Sequence, residues 1–296
     1  MMELKHKGIF YMLLAALGFS VMGASAKLLK GAFNAGQLVF YRNAIGLIFL
    51  SFSLLRRAPV QQGGKLNWLV FRGLMGAVAL YTLLYCILHM PLGTAMTYNL
   101  TSALYITLFG FLLFGEYHGK NVIGAVLLGF LGMLMVYKPG FSGAPWYDHL
   151  AGVISGLTSA LAYLTVGRLA KFYDSRIIVL AFLVAGVVLP SISFMLHYLI
   201  GWKEDELFIL SWVWPSSGMQ WIYLLVLGLA ALFGQYFVTL AYRAAKPSLV
   251  SAIGYSNILF SLIFGLLLGD AFPDALSLAG ILCIVTSGIL ISVHRS

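Results

Sequence analysis

Ten apolar stretches, each about the length that crosses a bilayer, decide what this chain can fold into. They occupy residues 8–29, 36–55, 68–89, 92–114, 120–137, 149–170, 177–199, 219–241, 248–268 and 275–293. A hydrocarbon core about 30 Å thick takes ~20 helical residues. Lipid offers no partner to an unpaired backbone N–H or C=O, so single spans of this length are helices. Turn chemistry separates them at Gln61-Gln62-Gly63-Gly64, His89-Met90-Pro91, Pro139-Gly140, Trp214-Pro215-Ser216 and Lys246-Pro247. The sequence lacks the alternating strands of ~10 residues that build an outer-membrane barrel. Charged residues make up 9% of the chain, against roughly 25% in a soluble domain. The expected fold is an all-α membrane protein of ten transmembrane helices.

Charge sets the orientation. A net charge of +9 would suit nucleic acid, but the basic residues form no patch interleaved with aromatics, so no nucleic-acid partner is expected. They gather instead between spans, as in cytoplasmic loops. With the N-terminus inside, the inner side holds 13 Lys and Arg, Arg72 among them, and the outer side holds four, Lys27, Lys30, Lys138 and Lys203. Arg42 stands apart inside the second span. Both termini are therefore expected in the cytoplasm, and short termini with compact loops fit a bacterial inner membrane. Lys5, His6 and Lys7 before an apolar run, with Ala24-Ser25-Ala26 after it, imitate a secretory leader. The further spans that follow favour a retained first helix. Cys86 and Cys283 lie in apolar stretches without ligand spacing. The histidines scatter at span ends, so no metal, cofactor or disulfide is expected.

The chain resembles itself. Leu112-Leu113-Phe114-Gly115-Glu116 ends the fourth span and Leu266-Leu267-Leu268-Gly269-Asp270 the ninth. Gly124 and Gly132 pair with Gly280 and Gly288, Ala79-Leu80 with Ala231-Leu232, Ser102 with Ser256, and Gly8, Ala16 and Lys27 with Gly152, Ala160 and Lys171. Five spans is an odd number, so the second copy enters the membrane upside down. The expected domains are residues 1–140 and 141–296, two inverted five-helix repeats. Many secondary carriers, and some channels, are built this way around a site near the midplane.

The segment from Arg72 to Glu116, with Arg72-Gly73-Leu74, Tyr85, Pro91-Leu92-Gly93-Thr94-Ala95 and Phe114-Gly115-Glu116, resembles the drug/metabolite transporter superfamily. It is most similar to the EamA-type ten-helix branch, and Phe40-Tyr41-Arg42 and Gly269-Asp270 fit the same pattern. One departure is Gly18-Phe19-Ser20, where many members carry Trp-Gly, so contacts there do not carry over. The resemblance covers nearly the whole chain. It implies a permease for amino acids, nucleoside-like cofactors or similar metabolites, and the Arg72–Glu116 variant is similar to members that take up S-adenosylmethionine or riboflavin.

Several side chains are candidates for substrate binding. Arg42 lies ~10 Å along its helix at 1.5 Å per residue, where a charge is costly unless it pairs, snorkels or faces water. It either attracts an anion near the outer mouth of a cavity or bonds neighbouring carbonyls. Lys27, near a helix end, is expected to snorkel. Tyr81 and Tyr85 share a face of the third helix. The fourth offers Tyr98, Asn99, Ser102 and Tyr105, the eighth Gln235 and Thr239, and the ninth Tyr255 and Asn257. Buried amides and hydroxyls need partners, which either a solvated cavity or a neighbouring helix supplies. Aromatics beside amides suit a planar, partly polar solute. Gly152-x3-Gly156 and Gly265-x3-Gly269 are spacings for close helix packing.

No span centre holds Asp or Glu; Glu116, Asp270 and Asp274 lie at the ends. Proton-coupled carriers use a titratable group within the membrane, so facilitated diffusion or exchange is expected. A membrane enzyme would need a nucleophile, a base or clustered ligands at depth, and no span centre offers His, Asp or Glu. The expectation is a secondary transporter that moves a small organic metabolite by alternating access, as a monomer or homodimer in the lipid bilayer. A carrier specific for S-adenosylmethionine or riboflavin is the narrower alternative, and a channel or lipid scramblase the rival class.

Overall fold

The computed structural model describes residues 2–60, 62–114, 120–137, 145–200, 212–245, 250 and 253–294. Glu116, Lys138, the loop around Lys203, Lys246-Pro247 and Arg295 lie outside the described residues. Among the described residues the chain forms helices and no strand. The helices are α1 (Met2–Leu28), α2 (Ala35–Arg56), α3 (Leu66–His89), α4 (Leu92–Leu100), α5 (Ser102–Phe114), α6 (Lys120–Tyr137), α7 (Trp146–Leu169), α8 (Ser175–Ile200), α9 (Gly218–Ala244), α10 (Ser256–Leu267) and α11 (Ala275–His294). Six of them, α1, α2, α3, α7, α8 and α9, are each long and apolar enough to cross a membrane, and shorter apolar helices lie at Ile123–Val136, Ser256–Leu267 and Ala275–Leu290. The architecture is an all-α membrane fold of ten spans, the fourth made by α4 and α5 in tandem.

Local chemistry sets the helix ends. Asn34 and Gln37 form a reciprocal capping box that starts α2, with bonds of 2.9 and 3.1 Å. Pro91 and Pro145 precede α4 and α7, where a missing N–H is no loss. Helix α10 ends in a Schellman motif: Gly269 adopts φ +88°, Asp270 N–H donates to Gly265 C=O at 2.9 Å, and Gly269 N–H to Leu266 C=O at 3.1 Å.

Two breaks depart from the expected continuous spans. Between α4 and α5 the Thr101 hydroxyl donates to Tyr98 C=O at 2.6 Å, and the helix restarts at Ser102. In the ninth span the break falls at Tyr255, just before α10 starts at Ser256. Ser102 and Ser256 are the serines that the sequence pairs between the expected repeats, and the interruptions fall at those two positions. Neither break holds a proline, and hydropathy passes through both unmarked.

Helix α1 packs on α9, α3 on α7, α6 on α11, and α2 on α8. Counted as spans, these contacts are first on eighth, third on sixth, fifth on tenth and second on seventh. Exchanging the halves returns the same set. Small residues allow the closest approach: a Cβ on Gly132 or on Gly280 would meet the other's carbonyl oxygen at 2.6 Å. Gly152 and Gly156 sit against Tyr98 and Thr101, so that spacing serves packing inside the chain. Leu38, Leu84, Ile87 and Leu92 are fully buried, while Ile48, Phe52, Leu127 and Leu259 point outward, where lipid would meet them. Lipid is as apolar as leucine, so fit and interhelical hydrogen bonds hold such a bundle rather than exclusion of water.

Candidate functional site

A cavity of about 90 Å³ lies in the middle of the bundle, bounded by side chains of α1, α2, α3, the α4–α5 break, α7, α8, α9 and the ninth span. Its polar lining begins with two arginines. Arg42, on α2, and Arg72, on α3, enter from helices of opposite direction and meet at Phe182 of α8, with guanidinium carbons 4.8 and 5.2 Å from its ring centroid. Arg42 Nη1 donates to Asn43 Oδ1 at 2.6 Å. Arg42 Nε, Arg72 Nε and Arg72 Nη1 are buried without a hydrogen-bond partner among the described residues. Arg72 also lies 6.0 Å from the ring of Tyr163, which stacks on Tyr242. Gly76 makes room for it, since a Cβ there would strike both Arg72 and Phe182.

Amides and hydroxyls face the arginines. Asn99 donates to Ser155 and Ser159 of α7 at 2.9 and 2.8 Å, and both Asn99 and Ser159 line the cavity. Asn257 accepts from Ser261 at 2.9 Å and from Ser20 at 3.4 Å. Gln235 lines the wall with its Nε2 unpartnered. Ser102 completes the polar set at the helix break. Of the candidates read from the sequence, the structure thus brings together Arg42, Asn99, Ser102, Gln235 and Asn257.

The candidates Tyr81, Tyr85, Tyr98, Tyr105, Tyr255 and Thr239 go elsewhere; none of them lines this cavity. Tyr85 donates to Asp148 Oδ1 at 2.8 Å, and Tyr98 shares a hydrogen bond of 2.8 Å with His149 Nδ1. Tyr105 points its hydroxyl at Met133 Sδ, 3.6 Å away. Tyr255 packs against Gly288, Tyr81 rests on the main apolar core, and Thr239 bonds the Gln235 carbonyl of its own helix at 2.8 Å.

The Tyr85 and Tyr98 bonds belong to a second polar region, at the end of the bundle where α1 finishes and α2 begins. There Lys27 pairs with the Asp270 carboxylate, which also accepts Leu92 N–H at 3.0 Å. Lys27, expected to snorkel, instead ties α1 to the turn after α10. Tyr41 donates to Val213 C=O at 3.1 Å beneath a cluster of Phe40, Phe194, Trp212 and Trp214. All of these bonds join a residue below 140 to one above 145. At the opposite end, Arg176 donates to Ser53 and Arg57 carbonyls at 3.1 and 2.9 Å and pairs with Asp174. Burial disfavours the Asp174 carboxylate, but the hydrogen bonds and charge of Arg176 outweigh it and hold the group below its usual pKa.

Sequence reasoning passed over Arg72, Asp148, His149, Ser159, Tyr163 and Phe182. Arg72 lies inside its span, the same signal that singled out Arg42, but the tally of loop charges absorbed it. Asp148 and His149 sit so close to a span boundary that they read as solvated.

A profile of the EamA-like transporter family matches residues 6–138. The pseudopaline exporter CntI of Pseudomonas aeruginosa is 32% identical over 295 residues, covering 98% of this chain and 98% of its own. An uncharacterized transporter of Helicobacter pylori is 29% identical, over 97% of this chain and 94% of its own. A crystal structure of a protein with 19% identity superposes with a TM-score of 0.62, covering 95% of this chain and 97% of that one. Likeness at that identity speaks for the fold alone.

Proposed function

The chain belongs to the EamA-like transporter family, and from that premise we propose that it is a secondary carrier for a small organic metabolite, working by alternating access. It is a multi-pass membrane protein whose relatives transport small molecules. The observation that carries the reading is a cavity in mid-bundle whose lining buries four N–H donors without partners, on Arg42, Arg72 and Gln235. Buried donors left unpaired are costly, and a bound solute or water relieves that cost.

The exchange-symmetric packing and the matched helix breaks support two inverted repeats, residues 1–140 and 141–296. Such a pair gives two conformations that open to opposite sides. The cavity occupies the middle and the half nearer the termini, while Lys27–Asp270, Tyr85–Asp148 and Tyr98–His149 join the halves at the far end. That arrangement favours a carrier over an open pore. Both termini are placed in the cytoplasm of a bacterial inner membrane. Among the described residues the cavity lining holds no carboxylate, which favours exchange or facilitated diffusion.

The test is counterflow in proteoliposomes. Vesicles loaded with an unlabelled solute should take up the same labelled solute with saturable, competable kinetics, for one class among amino acids, nucleosides, S-adenosylmethionine, riboflavin and organic acids. Flux that stays linear and uncompeted for every class would contradict a carrier and favour a pore or scramblase.

A further inference from the structure

The charge on the cavity wall narrows the solute, given the carrier reading above. Arg42 and Arg72 are 1% and 2% exposed. Guanidinium stays protonated in proteins, so the wall carries two positive charges against one ring. Among the described residues no Asp or Glu lines the cavity. The described acids near other charges are already engaged: Asp148 by Tyr85, Asp174 by Arg176 and Asp270 by Lys27. An aromatic face offsets only part of the cost of taking a cation out of water.

The architecture does not require these charges. Counted from the paired residues Ala79 and Ala231, the counterpart of Arg72 in the second half is Leu224, fully buried. The second half presents the neutral amides of Gln235 and Asn257 instead. The four partnerless atoms on the lining, three guanidinium nitrogens and Gln235 Nε2, are all donors. A solute that satisfies them must be rich in acceptors and negatively charged at the arginine end.

We propose that Arg42 and Arg72 form an anion-binding pair, and that the solute is a small organic anion. Its carboxylate or phosphate sits against the two guanidiniums, and an acceptor at its other end takes the Gln235 amide.

Thermal unfolding of the purified protein tests this with succinate, malate, glutamate and inorganic phosphate, set against the amides succinamide and glutamine. The expected result is a saturable rise in unfolding midpoint with at least one anion and none with its amide counterpart. A carboxylate responder and a phosphate responder distinguish the two head groups. Arg42→Gln and Arg72→Gln should each weaken the responding anion at least tenfold, and Arg72→Lys less. Without ligand, Arg72→Gln should unfold at or above the wild-type midpoint, because it removes an unpaired buried charge. The proposal is overturned if amides stabilise as well as anions, if no anion stabilises, or if Arg72→Gln alone lowers the ligand-free midpoint by several degrees. Saturable counterflow of a neutral solute alongside such a failure would leave the carrier standing without its anion site. Absence of saturable counterflow for any solute would remove the carrier as well.

Discussion

At the far end of the bundle, Tyr85, Tyr98, Asp148, His149, Lys27 and Asp270 are bonded across the two halves. In the middle, Arg42, Arg72 and Gln235 bury donors that have no partner among the described residues. Both regions sink polar atoms into an apolar bundle, yet only one of them completes its bonds. A satisfied network fixes helices against one another, and a partly satisfied one leaves capacity for something that comes and goes.

Changing the middle should damage function most and stability least. Losing a hydrogen bond to a charged group removes about 1.5–3 kcal/mol, or roughly tenfold to a hundredfold in solute affinity. Arg42→Gln is expected to lose that much in concentration-dependent exchange, with an unfolding midpoint near wild type. At the far end the order reverses. Asp148→Ala strands the Tyr85 hydroxyl and should destabilise by about 1–3 kcal/mol. Adding Tyr85→Phe should cost less than the sum of the two single changes, since the pair acts as a unit; a denaturation cycle reads this directly.

Asp270→Asn removes the ion pair with Lys27 while keeping an acceptor for Leu92 N–H. The expected outcome is a loss of about 1 kcal/mol or less and a changed exchange rate, as the bond that joins the halves at that end weakens. An unchanged rate would separate the pair from the transport cycle. The smallest effect belongs to Asp174. Its pKa is depressed in the fold, so its contribution is present above the unfolded carboxylate pKa and is lost as pH falls through the folded value. Asp174→Asn should therefore lower stability at neutral pH by about 0.2–1 kcal/mol and flatten the decline at acid pH.

The spans, their boundaries to within a few residues and the family were legible in the sequence, because bilayer thickness and backbone satisfaction leave few options. The direction of each polar side chain was not. Helix α5 (Ser102–Phe114) is apolar nearly all round, so nothing in its pattern marks an inner face. Tyr98 and Ser102 share a helical spacing, but the Thr101 break separates them, sending Tyr98 to His149 and leaving Ser102 at the cavity. Tyr85 looked like a cavity aromatic because its partner Asp148 lies 63 positions away and meets it only through the packing of α3 on α7. Arg72 was visible but was counted as a loop charge.

Side-by-side counterflow of wild type, Arg42→Gln and Tyr85→Phe, each normalised to folded protein in the vesicles, tests the central claim most directly. The account predicts that Arg42→Gln folds like wild type and loses exchange, while Tyr85→Phe unfolds earlier and keeps exchange per folded molecule. Full exchange by Arg42→Gln together with loss in folded Tyr85→Phe would contradict it and move the solute site to the far end of the bundle.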